Sequence, residues 1–287
     1  MIKFLVALFV LVLGCNFGYS QSKPFKQLAA ELNQLTESYS RLLPFQGDKR
    51  ALKDFSLTVN DFPETEDENF SAQKDSIDFF ALQEYYQGKI WKKLIALTSH
   101  NDFGTASNEK LVNIFATKSA DNKVYNFIYD ENTGGSYQSR VSYVYYASQK
   151  GEQKQSLYNP DGYDTIIPIK SKTATRYLML GEKIGCNSCM GHYAKLVHYE
   201  KGQPVVDFEY SLGTRMGFDN AIEYNAASST LSVHYTTDDL TQYCYCNEGD
   251  KKEYTDEITP QHQCSCTFTF NGDTFVLAGQ KDNVVKN

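Results

Sequence analysis

Beyond residue 20 the chain has no apolar run of the length that a membrane-spanning helix needs, which is about 20 consecutive residues. It has no surplus of basic residues either. Lys and Arg number 28 against 35 Asp and Glu, a formal net charge of −7. That balance argues against a nucleic-acid partner, because such binding depends on cations that displace counterions from phosphates. Compact catalytic signatures are missing as well: there is no Gly-x-Ser-x-Gly, His-Glu-x-x-His, Walker loop or Gly-x-Gly-x-x-Gly. The five histidines, His100, His192, His198, His234 and His262, stand singly along the chain. A triad assembled in space needs no closeness in sequence, but nothing here nominates a catalytic residue or implies a cofactor. Tryptophan occurs once, as Trp91.

What is present begins with a leader. Lys3 is followed by the apolar run Phe4 to Leu13, too short to span a bilayer and suited to an export signal. Gly18-Tyr19-Ser20 offers a cleavage site before Gln21. The alternative, Val12-Leu13-Gly14-Cys15, resembles a lipobox in which Cys15 carries a lipid anchor. Either way the expectation is an exported protein, periplasmic or extracellular, with membrane anchoring as the alternative. The partner is not specified by the sequence.

Three regions are expected: a signal at 1–20, a helical region with an acidic linker at 21–107, and an antiparallel β domain at 108–287. Between Lys23 and Pro44, Leu28, Leu32, Leu35, Tyr39 and Leu42 recur at steps of four and three, one stripe of an amphipathic helix. Ser22 and Pro24 suit its start and Pro44 its end. Asp61 to Glu68 lacks the glycine and alternating oxygen ligands of a calcium loop, so it reads as a solvated linker. A second stripe follows at Phe79, Leu82, Tyr86, Ile90, Leu94 and Leu97, interrupted by Gly88.

From Lys110 the period shortens to two. Strands are expected at Lys110–Thr117, Lys123–Tyr129, Tyr137–Ala147, Tyr163–Ile169, Arg176–Gly181 and His192–Glu200. Further strands are expected at Pro204–Tyr210, Asn220–Tyr224, Thr230–Thr236, Gln242–Cys246, Cys264–Phe270 and Thr274–Leu277. Alternation is clear at Val141, Tyr143 and Tyr145, and again at Leu231, Val233 and Tyr235. Connectors such as Lys201-Gly202 and Asn271-Gly272 supply the positive φ of tight turns. Short strands without intervening helices give an α+β, mainly β chain: N-terminal helices, then an antiparallel meander arranged as a sandwich, a curled sheet or propeller-like blades.

The run Ser119 to Gln138, SADNKVYNFIYDENTGGSYQ, and the later TRYLMLGEKIG, Thr175 to Gly185, resemble recurring signatures in uncharacterised exported β-rich proteins of Bacteroidetes-type bacteria. KKLIALTSHND is similar in placement to the helix preceding them. Tyr129 stands where that family has a tryptophan. The resemblance spans Trp91 to Glu200 and implies export and a β-rich fold. It carries no assigned activity.

The most specific feature is cysteine spacing. Setting aside Cys15 of the leader, six of the seven cysteines remain: Cys186, Cys189, Cys244, Cys246, Cys264 and Cys266. An even number in an exported chain points to disulfides. Taken as antiparallel partners, Cys244 opposite Cys266 and Cys246 opposite Cys264 share one register and one face. At a non-hydrogen-bonded pair the Cα atoms lie about 4.5 Å apart, inside the disulfide window of about 4.4–6.8 Å. The inner bond would close the polar loop Asn247 to Gln263, a constraint worth about 3 kcal/mol. The alternative is a zinc or copper site drawing on Cys186, Cys189, Cys244, Cys246, Cys264, Cys266 and His262. Flat rungs about 7 Å apart must buckle to reach an ion held at about 2.3 Å from sulfur, so the disulfide reading leads. Cys186-Asn187-Ser188-Cys189 lies between two strands and lacks a helix N-terminus to stabilise a thiolate. A local disulfide is expected there, with metal binding or redox exchange as alternatives. The functional expectation is a disulfide-stapled binding or structural module of the cell envelope. A cysteine-based metal or redox protein, and a hydrolase with a dispersed site, are the alternatives.

Overall fold

The computed structural model describes residues 23–44, 48–62, 75–104, 110–132, 139–147, 154–155, 162–186, 189–215, 217–238, 244, 246 and 261–285. Residues 1–22 with Cys15 and Ser22, the acidic stretch from residue 63, Thr133-Gly134-Gly135 and residues 247–260 lie outside them.

Helix α1 (Phe25–Tyr39) buries Leu28, Leu32 and Tyr39 of the stripe read from its spacing, with Phe25 and Ala29 beside them, while Leu35 is half-buried and Leu42 is buried beyond the helix end. It packs along α2 (Phe79–Thr98), whose buried positions include Phe79, Leu82, Tyr86, Ile90, Leu94 and Leu97. The Asp78 carboxylate caps α2 by accepting from the Phe80 amide at 2.8 Å, which satisfies one of the amides a helix start leaves open. Lys23, at the start of α1, and Lys93, on α2, both reach Glu31, and Lys93 bridges the helices. These two hydrogen bonds, Lys23 first, hold the Glu31 carboxyl at about 2. A short ribbon, β1 (Lys49–Ala51) against β2 (Ser76–Asp78), closes this end.

Three antiparallel sheets follow in chain order, each a four-stranded meander. The first holds β3 (Phe115–Lys118), β4 (Val124–Asp130), β5 (Arg140–Tyr146) and β6 (Lys154–Gln155). The second holds β7 (Thr165–Lys170), β8 (Thr175–Cys186), β9 (Cys189–Glu200) and β10 (Gln203–Arg215). The third holds β11 (Asn220–Asn225), β12 (Thr230–Thr237), β13 (His262–Phe270) and β14 (Phe275–Val284). The chain is α+β and mainly β, as its periodicity predicts, and none of the sheets closes into a barrel.

The sheets stack face against face. One face of the first sheet (Phe127, Tyr129, Val141, Tyr143, Tyr145) shares a core with both helices, and Trp91 meets Tyr143 edge-on at 4.7 Å. Its other face sets Val124 and Val144 against Tyr163, Ile166, Tyr177, Met179, Tyr193 and Val197 of the second-sheet region. The far face of that second sheet, with Leu178, Ala194, Leu196 and Leu212, packs on Leu231, Val233, Tyr235 and Phe268 of the third. Burial follows from layer position. β5 is buried on both faces, Ser142 included, as in any sheet covered on both sides. β12 alternates buried and half-buried residues along its whole length, with His234 on its outer face.

Several boundaries move for identifiable reasons. Residues 110–114 form no ladder, because side chains of α1 satisfy their backbone. Asn33 bonds the Lys110 carbonyl at 3.0 Å and the Val112 amide at 2.8 Å, and Thr36 donates to the Val112 carbonyl at 2.7 Å. In the second sheet β8, β9 and β10 run past their expected ends to Cys186, from Cys189 and to Arg215, pairing with each other throughout. In the third, β14 continues to Val284 rather than ending at Leu277, still paired with β13.

Candidate functional site

The cysteine arrangement corrects the antiparallel pairing. The bonds are Cys244–Cys264 and Cys246–Cys266, each with a sequence separation of 20. Antiparallel rungs keep the sum of residue numbers constant, whereas these keep the difference constant, so the two Cys-x-Cys units align in the same direction. The reason is the position of β13. Its ladder is filled on both sides: Cys264 faces Tyr235 of β12 and Asp282 of β14, and Cys266 faces Val233 and Gln280. No edge is left for a further strand, so Cys244 and Cys246 reach β13 over its face. The Cα separations are 5.0 and 5.7 Å, and all four cysteines are 4% exposed or less, in the core between the second and third sheets.

Cys189 is disulfide-bonded and exposed at the tip of β8–β9, where its register partner is Cys186. The pair closes a hairpin with no helix following it. The Cys186 side chain lies outside the described residues.

Beside the core cysteines stands a pair of which the sequence nominates only one member, His262. Its ring lies against the Asp282 carboxylate, Nδ1 to Oδ1, at 2.5 Å. Cys244, Cys264 and Asp282 bring three metal-type ligand atoms within 4.8 Å of one another, the only such group among the described residues. Spacing alone does not single out Asp282, because the strand carrying it is expected to end five residues earlier. The Gln280 side chain donates to the Cys244 carbonyl and ties the incoming segment to β14.

The other histidines fall into separate places. His100 lies against Phe25, ring centroids 5.6 Å apart, and His234 stands 4.0 Å from Asp219. His198 lies between Asp207, at 2.9 Å, and Glu200, at 3.1 Å. Asp207 also meets the buried Arg176 at 3.1 Å, and Arg176 continues to Asp273 at 2.9 Å. Because Thr274 donates to the Asp207 carbonyl at 2.7 Å, this network joins the β13–β14 turn to the second sheet. Both ring nitrogens of His198 are taken by carboxylates, an arrangement that joins β9 to β10 within the second sheet and leaves no nucleophile at the ring.

A groove supplies the binding geometry. A hollow of about 640 Å³ opens beside β3 and β4, lined by Asn113, Ile114, Phe115, Ile128, Tyr129, Asp130, Arg140 and Asp164. A second hollow of about 350 Å³ shares Arg140 and Asp164 and continues along Thr165, Leu180, Gly181, Glu182, His192, Tyr193 and Ile222. Arg140 is central to both. Its guanidinium meets Asp164 at 3.5 Å and donates to the Glu182 carbonyl at 3.4 Å. Asp164 accepts from the Glu182 amide at 3.2 Å, and Glu182 faces His192 across β8–β9, 3.6 Å from Nδ1. Phe115 is 57% exposed at the rim. Gly181 is the point of closest approach: a Cβ there would lie 2.5 Å from the Tyr193 ring, and the Tyr193 hydroxyl donates to the Gly162 carbonyl. Asp130 accepts from the Asn132 amide at 2.7 Å and lines the groove as well. Arg140, Asp164 and Glu182 carry no sequence signature, since two separate strands and a connector bring them together.

Compared with protein families, curated proteins and solved structures, the chain matches no family model, no curated protein and no solved structure.

Proposed function

We propose that the chain is an exported, disulfide-stapled binding module and that the groove around Arg140 holds its ligand. The observation that carries this reading is the joined pair of hollows, about 640 and 350 Å³, with Arg140 and Asp164 common to both. Each volume falls in the range of small-molecule sites, where apolar walls surround a few convergent polar groups. The groove's charges restrict the ligand. Asp130, Asp164 and Glu182 outnumber Arg140, and Arg140 is already compensated by Asp164, so an anion is disfavoured. Carboxylates that accept hydroxyls, a guanidinium that donates, and an exposed Phe115 ring against which an apolar face can lie suit a neutral polyhydroxylated chain, a saccharide. Export is supported by the leader pattern and by the disulfides, which persist in oxidising compartments. It places the module in the periplasm or outside the cell, with a lipid on Cys15 as the anchored alternative.

Calorimetric titration with neutral oligosaccharides of differing linkage tests the ligand assignment. Binding that is lost in both Arg140→Ala and Phe115→Ala is expected. A panel without a binder, or binding untouched by these variants, sinks it. Intact mass of the chain recovered from cells tests export: the mature N-terminus should be Gln21 or a lipidated Cys15.

A further inference from the structure

The corner formed by Cys244, Cys264, Asp282 and His262 has a chemistry that the staple role does not use. We propose that reduction of the Cys244–Cys264 bond turns this corner into a site for a divalent ion of the zinc class, with Cys244, Cys264 and Asp282 as its ligands. The inference is independent of the saccharide groove.

Three observations support it. The first is distance. The two sulfurs and a carboxylate oxygen lie within 4.8 Å of one another. Tetrahedral zinc, with bonds of about 2.3 Å to sulfur and about 2.0–2.2 Å to oxygen, requires ligand atoms about 3.5–3.8 Å apart. The bonded sulfurs must separate, and the carboxylate oxygen must close in by about 1 Å at most. Cys264 is fixed in a central strand, but Cys244 arrives over the face of the sheet, so the movement falls on its side. The second is orientation. His262 is 2% exposed and holds the Asp282 carboxylate at 2.5 Å, the outer-sphere support that fixes a ligating group in bound-metal sites. The third is charge and access. Opened and deprotonated, the two thiols and Asp282 would place three negative charges together, which a divalent cation offsets. The Asp282 side chain is 36% exposed while the sulfurs are buried, so the ion can arrive from the Asp282 side. Three protein ligands leave the fourth tetrahedral position to solvent.

The chemistry balances with a dithiol as reductant. It gives up two electrons and two protons and leaves as its own disulfide, while Cys244 and Cys264 become thiols. Metal binding then releases both thiol protons as two thiolate bonds to the ion form. In the oxidised chain the two sulfurs are bonded to each other and offer no thiolate, so metal uptake reports the redox state.

The test uses Co²⁺ as the probe on the full chain, oxidised and after treatment with an immobilised phosphine that is removed before titration. The Cys186→Ala/Cys189→Ala/Cys246→Ala/Cys266→Ala background isolates the pair in question. The expected result is one Co²⁺ per reduced chain with a near-ultraviolet thiolate-to-cobalt band, no such band in the oxidised chain, and at least tenfold weaker binding in Asp282→Asn. If that background unfolds when reduced, the natural chain and its Asp282→Asn variant are compared instead, since the Cys186, Cys189, Cys246 and Cys266 thiols are common to both. A reduced chain without the band, an equal band in the oxidised chain, or equal affinity in Asp282→Asn overturns the proposal.

Discussion

The parallel disulfide ladder makes a quantitative claim about which cysteines can be removed together. In the chain-entropy account, a cross-link with the observed separation of 20 residues restrains the unfolded chain by about 3 kcal/mol. A second bond two residues further on closes only a small additional ring, roughly five residues around the path through the first bond, and adds about 2 kcal/mol. Removing the matched pair Cys246→Ala/Cys266→Ala therefore leaves Cys244–Cys264 in place and costs about 2 kcal/mol. Removing the mismatched pair Cys244→Ala/Cys266→Ala breaks both bonds, orphans Cys246 and Cys264, and costs about 5 kcal/mol. Urea unfolding without reductant measures both, and the deleted sulfur atoms are the same in number, so their packing losses largely cancel in the difference. Free-thiol titration should give no new thiols for the matched pair and two for the mismatched pair. If the order is reversed, with the mismatched pair milder and free of thiols, the pairing is antiparallel and the face-on geometry is wrong.

Four further outcomes rest on particular residues. Gly88 sits inside α2, and a methyl group added there would meet nothing within 4 Å, so Gly88→Ala should raise stability by about 0.4–1 kcal/mol in urea unfolding. Gly181→Ala should do the opposite, because Tyr193 and the Gly162 carbonyl occupy that space, and a cost of about 1–3 kcal/mol is expected from overpacking. Arg176→Ala leaves Asp207 with one partner fewer in a buried setting, and a loss of about 3–5 kcal/mol is expected for breaking such a pair. The His198 pKa is raised: desolvation works against the charged ring, but hydrogen bonds to Glu200 and Asp207 outweigh it. A raised folded-state value means that the stabilisation is whole below the unfolded value of about 6.5 and fades as pH rises through the folded one. The melting temperature should fall over that interval, and His198→Ala should flatten the slope.

The helices and the third sheet were legible because each has one buried face. Leu28, Leu32 and Tyr39 on α1, or Leu231, Val233 and Tyr235 on β12, repeat at the period of their element and lie in its core. The first sheet was harder. The alternation of Val141, Tyr143 and Tyr145 predicts one buried face, but β5, packed between helices and a second sheet, buries Ser142 and Val144 as well, as a strand covered on both sides does. The groove was not legible at all. Arg140 starts one strand, Asp164 precedes another and Glu182 lies in the middle of a third, so their meeting depends on how two sheets stack, which no local pattern records.

The cysteines show the same limit in sharper form. A Cys-x-Cys unit fixes that two sulfurs share a face of an extended segment. Whether its partner arrives edge-on or face-on depends on whether the host strand has a free edge. β13 has none, because β12 and β14 pair with it along most of its length. The deciding information therefore lies in Thr230–Thr237 and Phe275–Val284, the two strands that take up both edges of β13. β14 also extends to Val284 rather than Leu277, which carries Asp282 up to Cys264. One strand's extra length thus excludes the edge-on ladder and assembles the sulfur and carboxylate cluster on which the metal proposal rests.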